Sequence, residues 1–392
     1  MSLSTLLLAP LLFVQSQKLN GPMPSSPGPG GGDVRGFRLS TDGTALAYAA
    51  DQHSVGVIEL YAGPVDVSTD PVKVSGLLVA GGQVEVRTFR FSPDGAWLVY
   101  LADANEVGVW ELFATPSDGS GPARRLNAPL VLDGDVGADL GSPPFLIAPD
   151  SQRVVYLADQ DLDEKTEIYS VPIDGHALPV KLNDAFPAWA EVESAVPGYA
   201  ISPDATRVAY TADRDVDQSF ELFSVPIAGG APLKLSTPAL PGRGLDGGNR
   251  PSFEFAADGQ RIAYRADLHV DDRFVLYSVP ADGSLAPVAL SDLASGLGDV
   301  LEFALTPDGE SAVFRADTTT AQVFELFSAP IDGTSAAQRI SGPMVAGGDV
   351  DGGVDVSSPL RPFEIGAGGM VVYRADAIAN GKFELFRVPV GG

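Results

Sequence analysis

Seven times the chain writes an aromatic residue, any residue, Ala and then Asp, ending at Asp51, Asp103, Asp159, Asp213, Asp267, Asp317 and Asp376. The steps between copies are 52, 56, 54, 54, 50 and 59 residues. A period of about 50 residues marks a repeat architecture, in which each unit buries its faces only against its neighbours. In six copies a Glu follows eight positions after the Asp, at Glu59, Glu111, Glu167, Glu221, Glu325 and Glu384, while the fifth copy has Val275. Such a chain does not divide into independent cores, although its 392 residues would otherwise suggest two or three domains.

One unit reads as four short strands. In the fourth, Tyr199-Ala200-Ile201 is a brief alternating run closed by the turn Pro203-Asp204-Ala205. Pro presets φ for such a turn, and Asp accepts from the backbone ahead of it. Arg207-Val208-Ala209-Tyr210-Thr211-Ala212 follows with β-branched and aromatic residues at period two. A polar loop leads to Phe220-Glu221-Leu222-Phe223-Ser224-Val225-Pro226, and Pro232-Leu233-Lys234-Leu235 is the fourth strand. Four antiparallel strands per unit, with no helical periodicity, is the composition of a propeller blade. The predicted fold is all-β: a seven-bladed β-propeller over residues 17–392, with repeats starting near 37, 89, 145, 199, 252, 302 and 363.

The turns carry a resemblance. Ser92-Pro93-Asp94-Gly95, Ser202-Pro203-Asp204-Ala205 and Thr306-Pro307-Asp308-Gly309 recur, with variants at Ser40-Thr41-Asp42-Gly43, Ala148-Pro149-Asp150-Ser151 and Ala256-Ala257-Asp258-Gly259. Followed by a Val/Ile-x-Tyr strand, this turn resembles the WD-repeat-like blade of the TolB family and of the non-catalytic half of prolyl oligopeptidases. The seventh copy, Gly366-Ala367-Gly368-Gly369, lacks the Pro and Asp. The resemblance implies structural motif residues and brings no catalytic residue with it.

The seventh unit stops after its third strand at residues 386–392, and Gln17-Lys18-Leu19-Asn20 matches the fourth strand of other units, such as Lys181-Leu182-Asn183. The expectation is that this N-terminal strand closes the last blade and leaves no open edge. Residues 1–16 admit two readings. The apolar run 6–14 has the length of a signal-peptide core, but no Lys or Arg precedes it and Pro10 interrupts it. Alternatively, residues 5–11 align with 325–331 as a decayed repeat, which leaves open that the chain is a piece of a longer one.

Charge narrows the partners. With 51 acidic and 25 basic residues the net charge is −26, which repels nucleic acid and anionic membrane and favours divalent cations and basic partners. Hydrophobic residues make up 45% of the chain, ample for a core, yet there is no apolar run of 18 residues to span a bilayer. The absence of Cys excludes disulfides, thiolate catalysis and cysteine metal sites. A periplasmic, extracellular or cell-surface location in a bacterium is expected, with the cytoplasm left open.

No G-x-S-x-G elbow, P-loop or dinucleotide fingerprint occurs. His53, His176 and His269 fall in separate loops, which reads as surface histidines and not as a metal site. The acidic residues are the one constellation to weigh. The Asp of each Ala-Asp motif most simply caps its loop. The blade links add Asp33, Asp133, Asp135, Asp246, Asp299, Asp349 and Asp351 on the same face, predicting an acidic channel mouth. There Asp161-Leu162-Asp163 and Asp215-Val216-Asp217 resemble the alternating oxygens that calcium uses, without the EF-hand's Gly and terminal Glu. Asp161, Asp163, Asp215 and Asp217 are thus the candidate metal ligands, and calcium the candidate cofactor. Arg315 and Arg374 are expected to pair with a third-strand Glu across the hairpin, while Arg265 faces Val275.

The reading is a non-enzymatic binding or scaffolding propeller that takes a protein, a small ligand or a divalent cation at its acidic mouth. The alternative is a hydrolase or lyase with an acidic, metal-dependent site at that mouth.

Overall fold

A computed structural model describes residues 16–24, 32–137, 143–187, 190, 192, 198–237, 241–245, 252–291, 299–318, 320, 322–350 and 361–392. The signal-like run at 6–14 lies outside them, as do the link residues Asp246 and Asp351. Seven antiparallel sheets follow one another along the chain, each a meander in which consecutive strands pair. The first contains Val34–Leu39, Ala45–Ala50, Glu59–Pro64 and Val72–Lys73. Six sheets have four strands; the seventh has three, Phe363–Gly366, Met370–Ala375 and Glu384–Pro389. The fold is the expected all-β propeller, and no described helix is long and apolar enough to cross a membrane. The expected pairing of residues 17–20 with that last strand is not present: this segment carries no strand and packs on the first blade.

The first turn of each blade shows why the repeated sequence folds as it does. Ser40, Ser92, Ser202 and Thr306 donate their hydroxyls to Asp42, Asp94, Asp204 and Asp308, at 2.5–2.6 Å. The same aspartates accept the N–H groups of Thr44, Ala96, Thr206 and Glu310. That is an Asx turn locked from both sides. Its last residue needs positive φ, supplied without a steric cost by Gly95 (75°) and at some cost by Ala205 (58°).

Second and third strands pair in one register throughout, Ala50 opposite Glu59 and Ala212 opposite Glu221. This stacks the motif aromatic on the third-strand aromatic, with centroids 5.3 Å apart for Tyr48 and Tyr61 and 5.4 Å for Tyr210 and Phe223. Both faces of blades 2 to 6 are apolar because both are covered by neighbouring blades. Six clusters of buried side chains each join two successive blades, from the first pair through to the sixth and seventh. A seventh cluster contains only first-blade residues with Leu19 and Met23 packed on them.

Candidate functional site

The seven Ala-Asp carboxylates cap their own loops, and those of blades 2, 3, 5, 6 and 7 also hold the link that comes from the preceding blade. One oxygen of Asp317 accepts the N–H of Asp299, in the incoming link, at 2.9 Å, and the other accepts that of Gln322, five residues ahead, also at 2.9 Å. Asp267 does the same with Gly244 at 2.7 Å and Asp272 at 3.2 Å, and Asp376 with Asp349 and Gly381. Burial works against the Asp51 carboxylate, but the N–H groups of Gly56, Asp33 and Gly32 outweigh it and hold its pKa below the ordinary value. Asp376 is held low in the same way.

Link aspartates are engaged as well. Asp135, Asp299 and Asp349 accept the N–H groups of Trp110, Phe274 and Phe324 in the blade they leave. The backbone of each donates to the Ala-Asp carboxylate of the blade it enters. Much of the acidity expected at one mouth is therefore a chain of carboxylate-to-backbone bonds running from blade to blade.

The four candidate metal ligands do not converge. Asp161 is paired with Lys181 at 2.7 Å. Asp215 is paired with Arg214 at 2.8 Å and with Lys234 at 2.7 Å, which together hold its pKa down to about 2. Asp163 and Asp217 point to solvent, Asp217 touched only by the amide of Gln218. Among the described residues no group of three or more His, Asp or Glu is arranged to hold a metal. Each lysine also neutralises a buried third-strand Glu, Lys181 with Glu167 and Lys234 with Glu221, both at 2.6 Å. The ammonium ion stands where a cation bound to these loops would have to stand.

That pairing repeats. Glu111 meets Arg125 at 2.7 Å, Glu325 meets Arg339 at 2.9 Å, and Glu59 meets Lys73. Glu325 is thus taken by the fourth strand and not by Arg315, contrary to the sequence expectation. Arg315 binds Glu302 of its own first strand at 2.7 Å, stacks on Phe324 and donates to the Val350 carbonyl. Arg265, which faces no Glu, stacks on Phe274 and donates to the carbonyls of Val300 and Leu301 in the next blade.

One set of polar residues escapes the repeat. The first-strand position paired with the third residue of the second strand reads Arg38, Arg90, Leu146, Ala200, Glu254, Ala304 and Glu364 around the molecule. The first strands of blades 1 and 2 touch, Val34–Leu39 against Arg90–Phe91, so this position lies at the inner edge where those blades meet. Arg38 leans over Phe89 of the next blade. Burial lowers the Arg90 pKa, and repulsion from Arg38 adds to it. Burial raises the Glu254 pKa, opposed by Arg361 and the Leu305 backbone. The position thus carries two cations, on blades 1 and 2, and two carboxylates, on blades 5 and 7. Sequence reasoning missed this set because its signal is the failure of a position to repeat, visible only once the register is fixed.

No protein-family model and no curated protein matches the sequence. Solved structures to which the chain is similar include a TolB candidate protein of Agrobacterium tumefaciens, 19% identical, covering 66% of this chain and 80% of its own, with a TM-score of 0.35. Another is an oligogalacturonate lyase of Vibrio parahaemolyticus, 14% identical, covering 91% and 90%, with a TM-score of 0.44. A prolyl endopeptidase is 12% identical, and the match covers 91% of this chain but 50% of the peptidase, with a TM-score of 0.42. These likenesses concern the arrangement of strands; chemistry does not follow from them.

Proposed function

We propose that the chain is a binding or scaffolding propeller, exported or displayed at the cell surface, whose protein or small-ligand partner docks on the inner edge of the blades. The observation that carries this reading is the inner-edge register position. Every neighbouring position is repeated for packing, whereas this one changes from Arg to Leu, Ala and Glu. Arg38, Arg90 and Glu364 are exposed and Glu254 half-buried, whereas the same position is apolar at Leu146, Ala200 and Ala304, so packing does not call for these charges. Retaining Arg38 and Arg90 side by side suits a partner that presents negative charge to that side and positive charge to Glu254 and Glu364.

Capture of partners from the native host by wild-type protein and by an Arg38→Glu/Arg90→Glu variant tests the reading. Partner loss with an unchanged melting curve is expected. An identical captured set would overturn it, and chemical turnover of a captured ligand would replace it with the hydrolase or lyase alternative.

A further inference from the structure

Blade 5 departs from the others at its outer edge, and it does so at two positions together. In blades 1 to 4 and 6 the third strand offers a Glu and the fourth a Lys or Arg that neutralises it, as in Glu167–Lys181 and Glu221–Lys234. In blade 5 the Glu position holds Val275 and the cation position, opposite Tyr277 in the ladder, holds Ala289. Loss of both members at once leaves no unpaired charge, and it also leaves space. A solvent-open groove of about 240 Å³ lies beside Val275, lined also by His269, Val270 and Arg273.

Blade 1 shows the same corner with its parts in place. Tyr61 donates its hydroxyl to Glu59 at 2.7 Å, His53 lies 2.6 Å from that hydroxyl, and Lys73 neutralises the carboxylate. Tyr169 in blade 3 likewise donates to Glu167, at 3.0 Å. Tyr277 is their counterpart and His269 that of His53, with rings 6.4 Å apart. The Tyr277 side chain is 4% exposed, and its hydroxyl is buried with no hydrogen-bond partner. It lies on the strand face it shares with Val275, two residues away. A buried phenol with no acceptor keeps the full cost of its lost hydration, so its retention calls for an occupant.

We propose that this corner of blade 5 binds a small organic carboxylate, whose carboxyl group takes the place of the missing Glu side chain. The Tyr277 hydroxyl is buried and outside the lining of this space, so the carboxylate accepts from it once the exposed His269 ring moves aside; Arg273 supplies the polar wall, and Val270 and Val275 cover a short carbon chain. The groove has room for an acid of a few carbons. The site stands apart from the inner edge, and its failure leaves the binding reading above untouched.

The test uses the full chain, acetate and propanoate as probes, and thermal shift with ligand-observed NMR as readouts, with chloride and phosphate at matched ionic strength as controls. Wild-type protein is expected to bind the two acids and to be stabilised by them, with no response to the controls. Tyr277→Phe should weaken binding at least about tenfold, since a hydrogen bond to a charged group is lost. That variant is expected to fold, because Phe113, Phe223 and Phe327 occupy the same position in other blades. Val275→Glu/Ala289→Lys restores the internal ion pair and should abolish binding while keeping the fold. Equal acetate binding by wild-type and the double variant would overturn the proposal, as would an acetate-saturated structure with only an ordered water on Tyr277.

Discussion

At the scale of single residues, the repeated Asp is the most informative position, and the sequence gives its role more readily than its partners. A carboxylate recurring seven times after Ala reads as a loop cap, which the N–H donors of Gln322 and Gly381 bear out. The second partner of Asp103, Asp159, Asp267, Asp317 and Asp376 lies in the link from the preceding blade, so local turn chemistry could not show it. Replacing Asp317 by Ala removes acceptors for the N–H groups of Asp299 and Gln322 at a buried site. With charge-assisted bonds contributing roughly 1.5–3 kcal/mol each, and partial rescue by water, Asp317→Ala should destabilise by about 2–4 kcal/mol in a urea titration. A loss below about 1 kcal/mol would show that the cap is dispensable. Acid should act on the same groups. Asp51 and Asp376 have folded pKa values below the ordinary value of about 3.9, so their contribution is complete above that value and falls as pH drops through the lowered ones. In the same experiment, acid unfolding of Asp51→Asn should therefore depend less steeply on pH between about pH 4 and pH 2.

At the scale of the hairpin, two residues past each Ala-Asp motif, the chain places His53, Asn105, Asp161, Asp215 and His269. Position for position, His53 touches Tyr61, Asn105 touches Glu111, and Asp161 and Asp215 touch the fourth-strand lysines. Read along the sequence, Asp161 and Asp163 suggest a calcium loop. Read across the hairpin, Asp161 belongs to an ion network with Lys181 and Glu167 that sequence spacing does not reveal, because Lys181 is contributed by the fourth strand. The same blindness assigned Arg315 to Glu325, when Glu302 on the first strand lay closer. Calcium at millimolar concentration is accordingly expected to leave the melting curve of the wild-type protein unchanged. Removing the ammonium with Lys181→Met should then destabilise by about 2–3 kcal/mol, by leaving the buried Glu167 uncompensated. A calcium shift in wild-type that disappears in Asp161→Asn/Asp163→Asn would restore the metal reading.

At the scale of the whole molecule, blade number and strand order were legible because a period of about 50 residues admits few architectures. Closure of the ring rests on a different kind of match. Phe37 is 63% exposed, whereas its counterparts Phe89, Phe145, Tyr199, Phe253, Phe303 and Phe363 are 1–4% exposed. On the far side of the last blade Leu385 is 75% and Val372 43% exposed, while the equivalent Leu326 and Val313 are fully buried. These surfaces are the two halves of the interface that the other blades repeat six times. The segment that would lie between them is already half in place. Gly21 donates to the Tyr48 hydroxyl at 3.3 Å, as Gly76 does to Tyr100 and Gly342 to Tyr373, both at 3.2 Å. Those two glycines follow the fourth strands of blades 1 and 6, so Lys18 and Leu19 occupy the fourth-strand place of a blade preceding the first. Carried onto blade 7, that register sets Lys18 opposite Phe386, as Lys73 is opposite Tyr61, and brings its ammonium to Glu384 as Lys73 reaches Glu59. The chain has no Cys, so a Lys18→Cys/Phe386→Cys variant carries only the designed pair. Oxidation should close it within one chain and raise the melting temperature, because a cross-link spanning a loop of this length removes much of the conformational entropy of the unfolded state. Disulfide-linked dimers would mean that the strand is exchanged between copies. Free thiols after oxidation, with a melting curve unaffected by deletion of residues 17–23, would overturn closure altogether.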